Sequence, residues 1–192
     1  KARGVKNLFI LSAQKLVPPA LRLLLNDAAV HVDGFLLPGH VAVVVGARAF
    51  NFLATEFRIP SAIGGFEADE ILSALVSLLE QVDGGQVTVA NEYRSVVTSE
   101  GNVAAQRVLA QVYAVADAEW RGMGVIPASG LKMRDEFAEF DIERVEPIEI
   151  ERVDKKSACR ACKPFHAIGP CMVSVEGVCA AWFKYGGNNF KW

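Results

Sequence analysis

Residues 60–90, PSAIGGFEADEILSALVSLLEQVDGGQVTVA, decide the fold of this chain. Residues 60–63 form a short apolar run closed by glycines, which predicts a buried strand. Residues 68–82 place seven aliphatic side chains on one face at a period of 3.6, with acids in the first turn, which predicts a helix. Residues 86–90 alternate as a strand does. A strand, a helix and a strand in this order predict a β-α-β unit with parallel strands.

The sequence before this unit continues the alternation of strand and helix. Residues 7–13, NLFILSA, and 30–37, VHVDGFLL, each predict a strand, and a helix begins between them at a pair of prolines. The run 41–45 fits either a strand or a buried helix, and periodicity does not decide between them. Residues 1–134 are therefore predicted to form an α/β domain of three layers, with helices on both faces of a parallel sheet.

The sequence after this unit contains segments that differ in composition and in predicted structure. Asn102 can cap a helix over 102–117, and the glycine-rich segment 120–131 lacks a helical period. Residues 135–156 carry nine acids against four basic residues, which predicts a solvated connection with room for one edge strand. Residues 157–192 hold all four cysteines of the chain and are predicted to form a small cysteine-rich module.

The four cysteines are Cys159, Cys162, Cys171 and Cys179, in the spacing C-x2-C-x8-C-x7-C. Four thiolates are a full donor set for a tetrahedral zinc ion or a [4Fe–4S] cluster. A redox pair at the C-x-x-C, two disulfides or plain buried cysteines are the alternatives. The second half of the spacing does not repeat the C-x2-C knuckle of zinc ribbons, which favours iron over zinc without excluding zinc.

Composition narrows the functional classes. The net charge of −2 indicates neither a nucleic acid nor an anionic membrane as a partner. No stretch approaches the roughly twenty apolar residues of a membrane span, and the apolar run near the N-terminus is too short for a signal peptide. We therefore expect a cytoplasmic protein, and structural disulfides are rare in that reducing compartment.

Two loops after predicted strands combine glycine with an ionisable side chain. Ligands of parallel sheets gather beyond the carboxyl ends of the strands, which is where His40 and Glu67 lie. His40 can position a ligand or relay a proton near pH 7, or it can simply cap the next helix. Glu67 can act as a general acid or base, or it can complement the dipole of the helix that follows.

Five motifs, in order along the chain, resemble those of the HypD family of [NiFe]-hydrogenase maturation factors. They are DGFLLPGHV at 33–41, GGFEADEIL at 64–72, NEYRSVV at 91–97 followed by Gly101-Asn102, WRGMG with IPASGL at 120–131, and GPCMVSVEGVCAA at 169–181.

The resemblance implies a role in building a metal centre. HypD-like proteins form a scaffold with HypC-like and HypE-like partners, on which an iron carrying two cyanides and one carbon monoxide is assembled. It implies an accessory assembly protein with a redox role, whose C-terminal cysteines bind a [4Fe–4S] cluster. The ligands in this prediction are Cys159, Cys162, Cys171 and Cys179. The catalytic candidates are those found from their position after predicted strands, His40 and Glu67.

The chain departs from the family pattern in two respects. The chain corresponds to roughly the C-terminal half of the family, and the segment between Cys159 and Cys162 is shorter than the family pattern. Two other functions therefore remain as alternatives: a stand-alone Fe–S or thiol redox protein, and an α/β binding domain with a structural zinc module.

Overall fold

The computed structural model describes residues 4–28, 30–120 and 123–146. The helices are α1 (Val17–Asn26), α2 (Gly39–Val45), α3 (Phe52–Thr55), α4 (Ala68–Asp83), α5 (Val103–Val112) and α6 (Ile142–Val145). The strands are β1 (Phe35–Pro38), β2 (Ser61–Gly64), β3 (Val89–Asn91), β4 (Tyr113–Trp120) and β5 (Gly124–Met133). Short 3₁₀ helices span Ala47–Phe50 and Asp135–Phe140.

The predicted cysteine-rich module and the end of the acidic connection lie outside the described residues. The domain bounds 1–134, 135–156 and 157–192 therefore stay predictions. Within the described residues, the start of the acidic connection forms the second 3₁₀ helix and α6. Among the helices of that part of the chain, none is long and apolar enough to cross a membrane.

The β-α-β unit of residues 60–90 is confirmed, and it lies in a parallel sheet. The strand order is β1-β2-β3, with both pairs parallel. Every residue of the central strand β2 is buried, so both of its faces are covered. On one face Gly64 lies so close to Ala74 of α4 that an added Cβ would stand 2.9 Å from the alanine methyl. On the other face Ile63 packs in a core with Phe50 and Leu53. The α/β class with a parallel sheet is thus confirmed.

The polar contact that joins α4 to the sheet comes from a buried glutamine. Gln81 Nε2 donates to the Ser61 carbonyl at 3.2 Å. Its Oε1 accepts from the Thr88 backbone N–H at 3.0 Å and from the Thr88 hydroxyl at 2.7 Å. One side chain therefore connects the helix, the central strand and the residue just before β3.

The ambiguous run 41–45 belongs to helix α2, which begins directly after β1. The helix predicted from the proline pair is confirmed as α1, with proline in its first turn. The strand predicted at 30–37 begins only at Phe35. The segment 47–57 is divided between a 3₁₀ helix and α3.

The buried strand predicted at 7–13 is wrong for the described structure. Only Ile10 makes an isolated bridge, with Asp141. Leu8, Phe9 and Leu11 remain 46–53% exposed. A strand needs a neighbouring edge to satisfy its backbone, and this run pairs with none of the three parallel strands.

The helix predicted over 102–117 ends at Val112, and the strands β4 (Tyr113–Trp120) and β5 (Gly124–Met133) pair in antiparallel fashion. Asn102 does cap the helix, since its side chain accepts from the Ala105 N–H at 3.0 Å. Residues 114–116 are Ala, Val and Ala, which are compatible with the period of a helix and with that of a strand. The sequence pattern therefore does not show where the helix ends and the strand begins. Trp120 is buried in the hairpin, where its indole Nε1 donates to the Ser129 hydroxyl at 2.7 Å.

Candidate functional site

The carboxyl ends of the three parallel strands meet at one edge of the sheet. Pro38 pairs with Gly64, and Ile63 pairs with Asn91, so the segments that follow all three strands leave at the same level. These segments are the start of α2 after β1 and a loop after each of β2 and β3. We call His40, Phe66, Glu67 and Tyr93, which lie on these three segments, the strand-end site. Ligands of open parallel sheets bind at this edge, so the architecture supports the location predicted for His40 and Glu67.

Close backbone approach at Gly39 holds the loops together. A Cβ at this position would overlap the carbonyl oxygen of Gly64 and would lie 2.7 Å from Tyr93 Cδ1. Only glycine leaves room for the first loop to contact both of its neighbours here. The next residue, His40, is exposed in the first turn of α2. This close approach therefore brings the first turn of α2, which carries His40, next to the segments that follow β2 and β3.

An aromatic contact joins the first loop to the second. The rings of His40 and Phe66 lie 5.5 Å apart between centroids, at an interplanar angle of 41°. The Phe66 side chain is 61% exposed, so it is not a member of the core. An exposed phenylalanine against an exposed histidine gives this edge an apolar surface beside an imidazole that can donate or accept a proton.

The second loop is held by the helix that follows it. Glu67 is the N-cap residue of α4. The Glu70 carboxylate accepts from the N–H of Phe66 at 2.9 Å and from the N–H of Glu67 at 3.1 Å. Asp69 lies in the first turn and is not the cap. The structure therefore places Glu67 at the position that the capping interpretation requires, on the loop next to that of His40.

The third loop follows β3 and was not singled out by sequence reasoning as part of a site. The Asn91 side chain accepts from the Tyr93 N–H at 3.1 Å and donates to the Val97 carbonyl at 2.8 Å. Arg94 Nε donates back to the Asn91 carbonyl at 3.0 Å. The signal that could have found this loop is its position, because it follows a predicted strand as the other two loops do.

The described residues bring together two of the predicted site residues. His40, in the first turn of α2, and Glu67, at the N-cap of α4, follow adjacent strands at one sheet edge, and their catalytic roles stay predictions. Cys159, Cys162, Cys171 and Cys179 lie outside the described residues. In the part of the chain that the structure describes, no group of three or more His, Cys, Asp or Glu residues is arranged to hold a metal ion.

A cavity of about 220 Å³ lies elsewhere, between the segment before α1 and the β4-β5 hairpin. Two of its charged lining groups already serve the backbone. The Asp117 carboxylate accepts from the Ala128 N–H at 2.9 Å, and Lys15 Nζ donates to the Glu119 carbonyl at 2.8 Å. These groups support the hairpin, so the strand-end site is the stronger candidate.

Comparison with known proteins gives a consistent set of relatives. The family model HypD, described as the hydrogenase formation hypA family, matches residues 1–186. The hydrogenase maturation factor HypD of Escherichia coli strain K12 is 37% identical over 206 residues, which cover 96% of this chain and 55% of that protein. HypD of Cupriavidus necator is 34% identical over 212 residues, covering 97% and 56%. HypD of Azotobacter vinelandii is 33% identical over 208 residues, covering 95% and 55%. The chain thus spans little more than half the length of these relatives.

Proposed function

Because the chain belongs to the HypD family of hydrogenase formation proteins, we propose that it takes part in the maturation of [NiFe]-hydrogenase. The observation that carries the proposal is the family match over residues 1–186, a range that includes the strand-end site and all four cysteines. The chain spans about half of its relatives, so its contribution is one part of the scaffold on which an iron with two cyanides and one carbon monoxide is assembled. The partners in this proposal are HypC-like and HypE-like proteins, in the cytoplasm.

The strand-end site is proposed to face the iron group as it is assembled. A cyanide ligand presents a nitrogen that accepts hydrogen bonds, and an exposed imidazole N–H can donate one. His40 would orient the group in this way, with Phe66 limiting the positions that the imidazole can take. Glu67 would accept or return a proton on the adjacent loop. The exposure of His40 and the contact of its ring with Phe66, at 5.5 Å between centroids, support the role proposed for His40.

The cysteine segment is proposed to hold a [4Fe–4S] cluster through Cys159, Cys162, Cys171 and Cys179. Support comes from the donor chemistry, because four thiolates match the ligand number of such a cluster. When bound, the cluster would supply one-electron transfer to thiols. The chain's own contribution is the set of thiolates, which a reducing cytoplasm keeps free of disulfides.

Anaerobic purification followed by iron, sulfide and zinc analysis tests the cofactor. We expect about four iron and four sulfide per chain, and Cys171→Ser and Cys179→Ser should each lose the cluster. Circular dichroism of the variants should show an unchanged α/β domain. One zinc per chain without iron would instead support the structural zinc alternative.

A chimera tests the maturation role. This chain would replace the matched part of the E. coli relative, in an E. coli strain that lacks HypD. We expect the chimera to restore hydrogenase activity and the His40→Ala chimera to lose at least nine tenths of it, at equal protein level. The matched control is His31→Ala, which removes an exposed histidine outside the strand-end site. Wild-type activity of the His40→Ala chimera would contradict the role of the imidazole, and co-purification with HypC and HypE tests the partners.

A further inference from the structure

Tyr93 brings a phenol to the strand-end site. Its ring lies against the backbone of Gly39, because a Cβ on that glycine would stand 2.7 Å from Tyr93 Cδ1 and 3.2 Å from Cε1. Gly39 is followed directly by His40 in the first turn of α2. The phenol of the segment after β3 therefore lies against the residue that precedes the imidazole, although the two side chains are far apart in the sequence.

The core holds the ring of Tyr93 in place. The side chain is partly buried and packs against the cluster that contains Leu37, Ile63 and Val97. Such packing uses the apolar ring, so it accounts for an aromatic residue at this position and leaves the hydroxyl without a role. A phenylalanine would make the same packing contacts.

The backbone of Tyr93 is held by its own segment. The Asn91 side chain accepts from the Tyr93 N–H at 3.1 Å. The Tyr93 carbonyl accepts from the N–H groups of Val96 and Val97, at 3.2 Å and 2.8 Å. These hydrogen bonds fix the position from which the side chain extends. A donor that is already in place loses little conformational entropy when a ligand binds.

The hydroxyl of Tyr93 is left for a ligand. In the part of the chain that the structure describes, every hydrogen bond of this residue uses its backbone. Among the described residues, no buried side-chain oxygen or nitrogen atom lacks a hydrogen-bond partner, so an oxygen without one, such as this hydroxyl, is in contact with solvent. A solvated phenol beside an imidazole is a donor that a bound group can reach.

A second donor is what the proposed iron group requires, and this step rests on the proposed function. The nitrogen of each cyanide carries negative charge and accepts hydrogen bonds, whereas the oxygen of carbon monoxide is a weak acceptor. His40 can serve one cyanide through one N–H. Within the strand-end site, Phe66 has no side-chain donor, and a carboxylate such as that of Glu67 only accepts. The Tyr93 hydroxyl is therefore the side-chain donor of this site that remains for the other cyanide.

We propose that Tyr93 is a second binding residue of the strand-end site, and that its hydroxyl donates a hydrogen bond to one cyanide nitrogen while His40 donates to the other. The two donors come from segments that follow different strands, and the contact of Tyr93 with Gly39 sets their spacing. The iron group is therefore held in one orientation, with the carbon monoxide directed away from both donors.

Infrared spectroscopy of the chimera with the E. coli relative tests the hydrogen bond without a readout of hydrogenase activity. The chimera would be purified with its iron group, whose cyanide and carbonyl stretching bands respond to their own hydrogen bonds. Tyr93→Phe removes the hydroxyl and keeps the ring. We expect the cyanide bands to move to lower frequency, and a ferrous chelator should remove the iron group about tenfold faster. The urea midpoint of the chain should stay unchanged, because the packing contacts are kept.

Two variants of the same segment serve as comparisons. Ser95→Ala removes an exposed hydroxyl and should leave the bands and the rate of iron loss unaltered. Arg94→Gln removes the other side-chain donor, whose Nε is bonded to the Asn91 carbonyl, and should have little effect. Unshifted cyanide bands in Tyr93→Phe would overturn the inference, and so would a shift seen only in Arg94→Gln or a lower urea midpoint in Tyr93→Phe. A chimera that shows no cyanide bands with Tyr93 in place would refute the proposed function, and the inference with it.

Discussion

Replacing Gln81 by leucine should weaken the attachment of α4 to the sheet with little change in the volume of the side chain. Gln81 is 5% exposed, and its amide makes three hydrogen bonds to the two strand segments. Leucine fills nearly the same space but leaves the Thr88 N–H and the Ser61 carbonyl without their partner. The perturbation is therefore electrostatic in origin, and it does not create a cavity.

The magnitude follows from the three hydrogen bonds. Each contributes about 1 kcal/mol net, and a buried donor left unpaired costs about 1–3 kcal/mol. The Thr88 hydroxyl is only partly buried and can bond to water instead, so the loss of its hydrogen bond to Gln81 lowers the free energy of unfolding by less. We expect the free energy of unfolding to fall by about 2–3 kcal/mol.

Urea unfolding of the purified chain, followed by far-ultraviolet circular dichroism, measures the change. The midpoint should move to lower urea at an unchanged slope, because the surface exposed on unfolding stays the same. The control is Glu80→Gln on the adjacent, exposed position, which should stay within about 0.5 kcal/mol. A loss below about 0.5 kcal/mol for Gln81→Leu would refute the reasoning, and so would an equal loss in the control.

Three further predictions concern stability and pH. Asn102→Ala should lower the free energy of unfolding by about 1 kcal/mol, because it removes the side chain that caps α5, and urea unfolding measures the loss. Ser129→Ala should cost about 1–3 kcal/mol, because it leaves the buried indole N–H of Trp120 unpaired, and tryptophan emission during unfolding reports it. Arg22 donates hydrogen bonds to Glu56 and holds the pKa of that carboxyl below its usual value. The stabilisation is therefore present above the pKa of Glu56 in the unfolded chain and is lost as pH falls through the lower folded pKa, so Glu56→Gln should lower the urea midpoint at neutral pH and leave it unchanged in acid.

Each of these changes has its own control. Asn102→Asp retains a capping oxygen and should keep most of the stability of α5. Ser99→Ala, at an exposed serine, should leave the tryptophan emission and the midpoint unaltered. High salt should shrink the effect of Glu56→Gln, because the ion pair with Arg22 is exposed and screened. Equal effects of Asn102→Ala and Asn102→Asp would contradict the capping argument.

The local sequence pattern was sufficient to predict an element when the residues that specify it lie within that element. The β-α-β unit of residues 60–90 was predictable because the 3.6 period of α4 and the flanking glycines specify a helix between two short strands. The resemblance to the HypD family was carried by short motifs, and the family match confirms it. His40 and Glu67 were expected at the carboxyl ends of strands, and the parallel register does place their loops at the same edge.

Long-range pairing was needed for the rest. Residues 7–13 have strand composition, yet a strand exists only where a neighbouring edge accepts its hydrogen bonds. The change from α5 to β4 falls within small residues that suit either structure, and only pairing with β5 decides it. The contact between His40 and Phe66 joins residues 26 positions apart in the sequence, and it depends on how closely Gly39 approaches Gly64 and Tyr93.

The sequence by itself determined the family, the α/β class and the central helix, because each rests on residues that are close together along the chain. Only the tertiary structure decided which way α4 turns. Periodicity marks a face without saying what it meets, and packing placed Ala74 and Gln81 against the sheet. The aliphatic side chains were left outward because the main contacts of α4 in the described part of the chain are with β1, β2 and β3 on its other side.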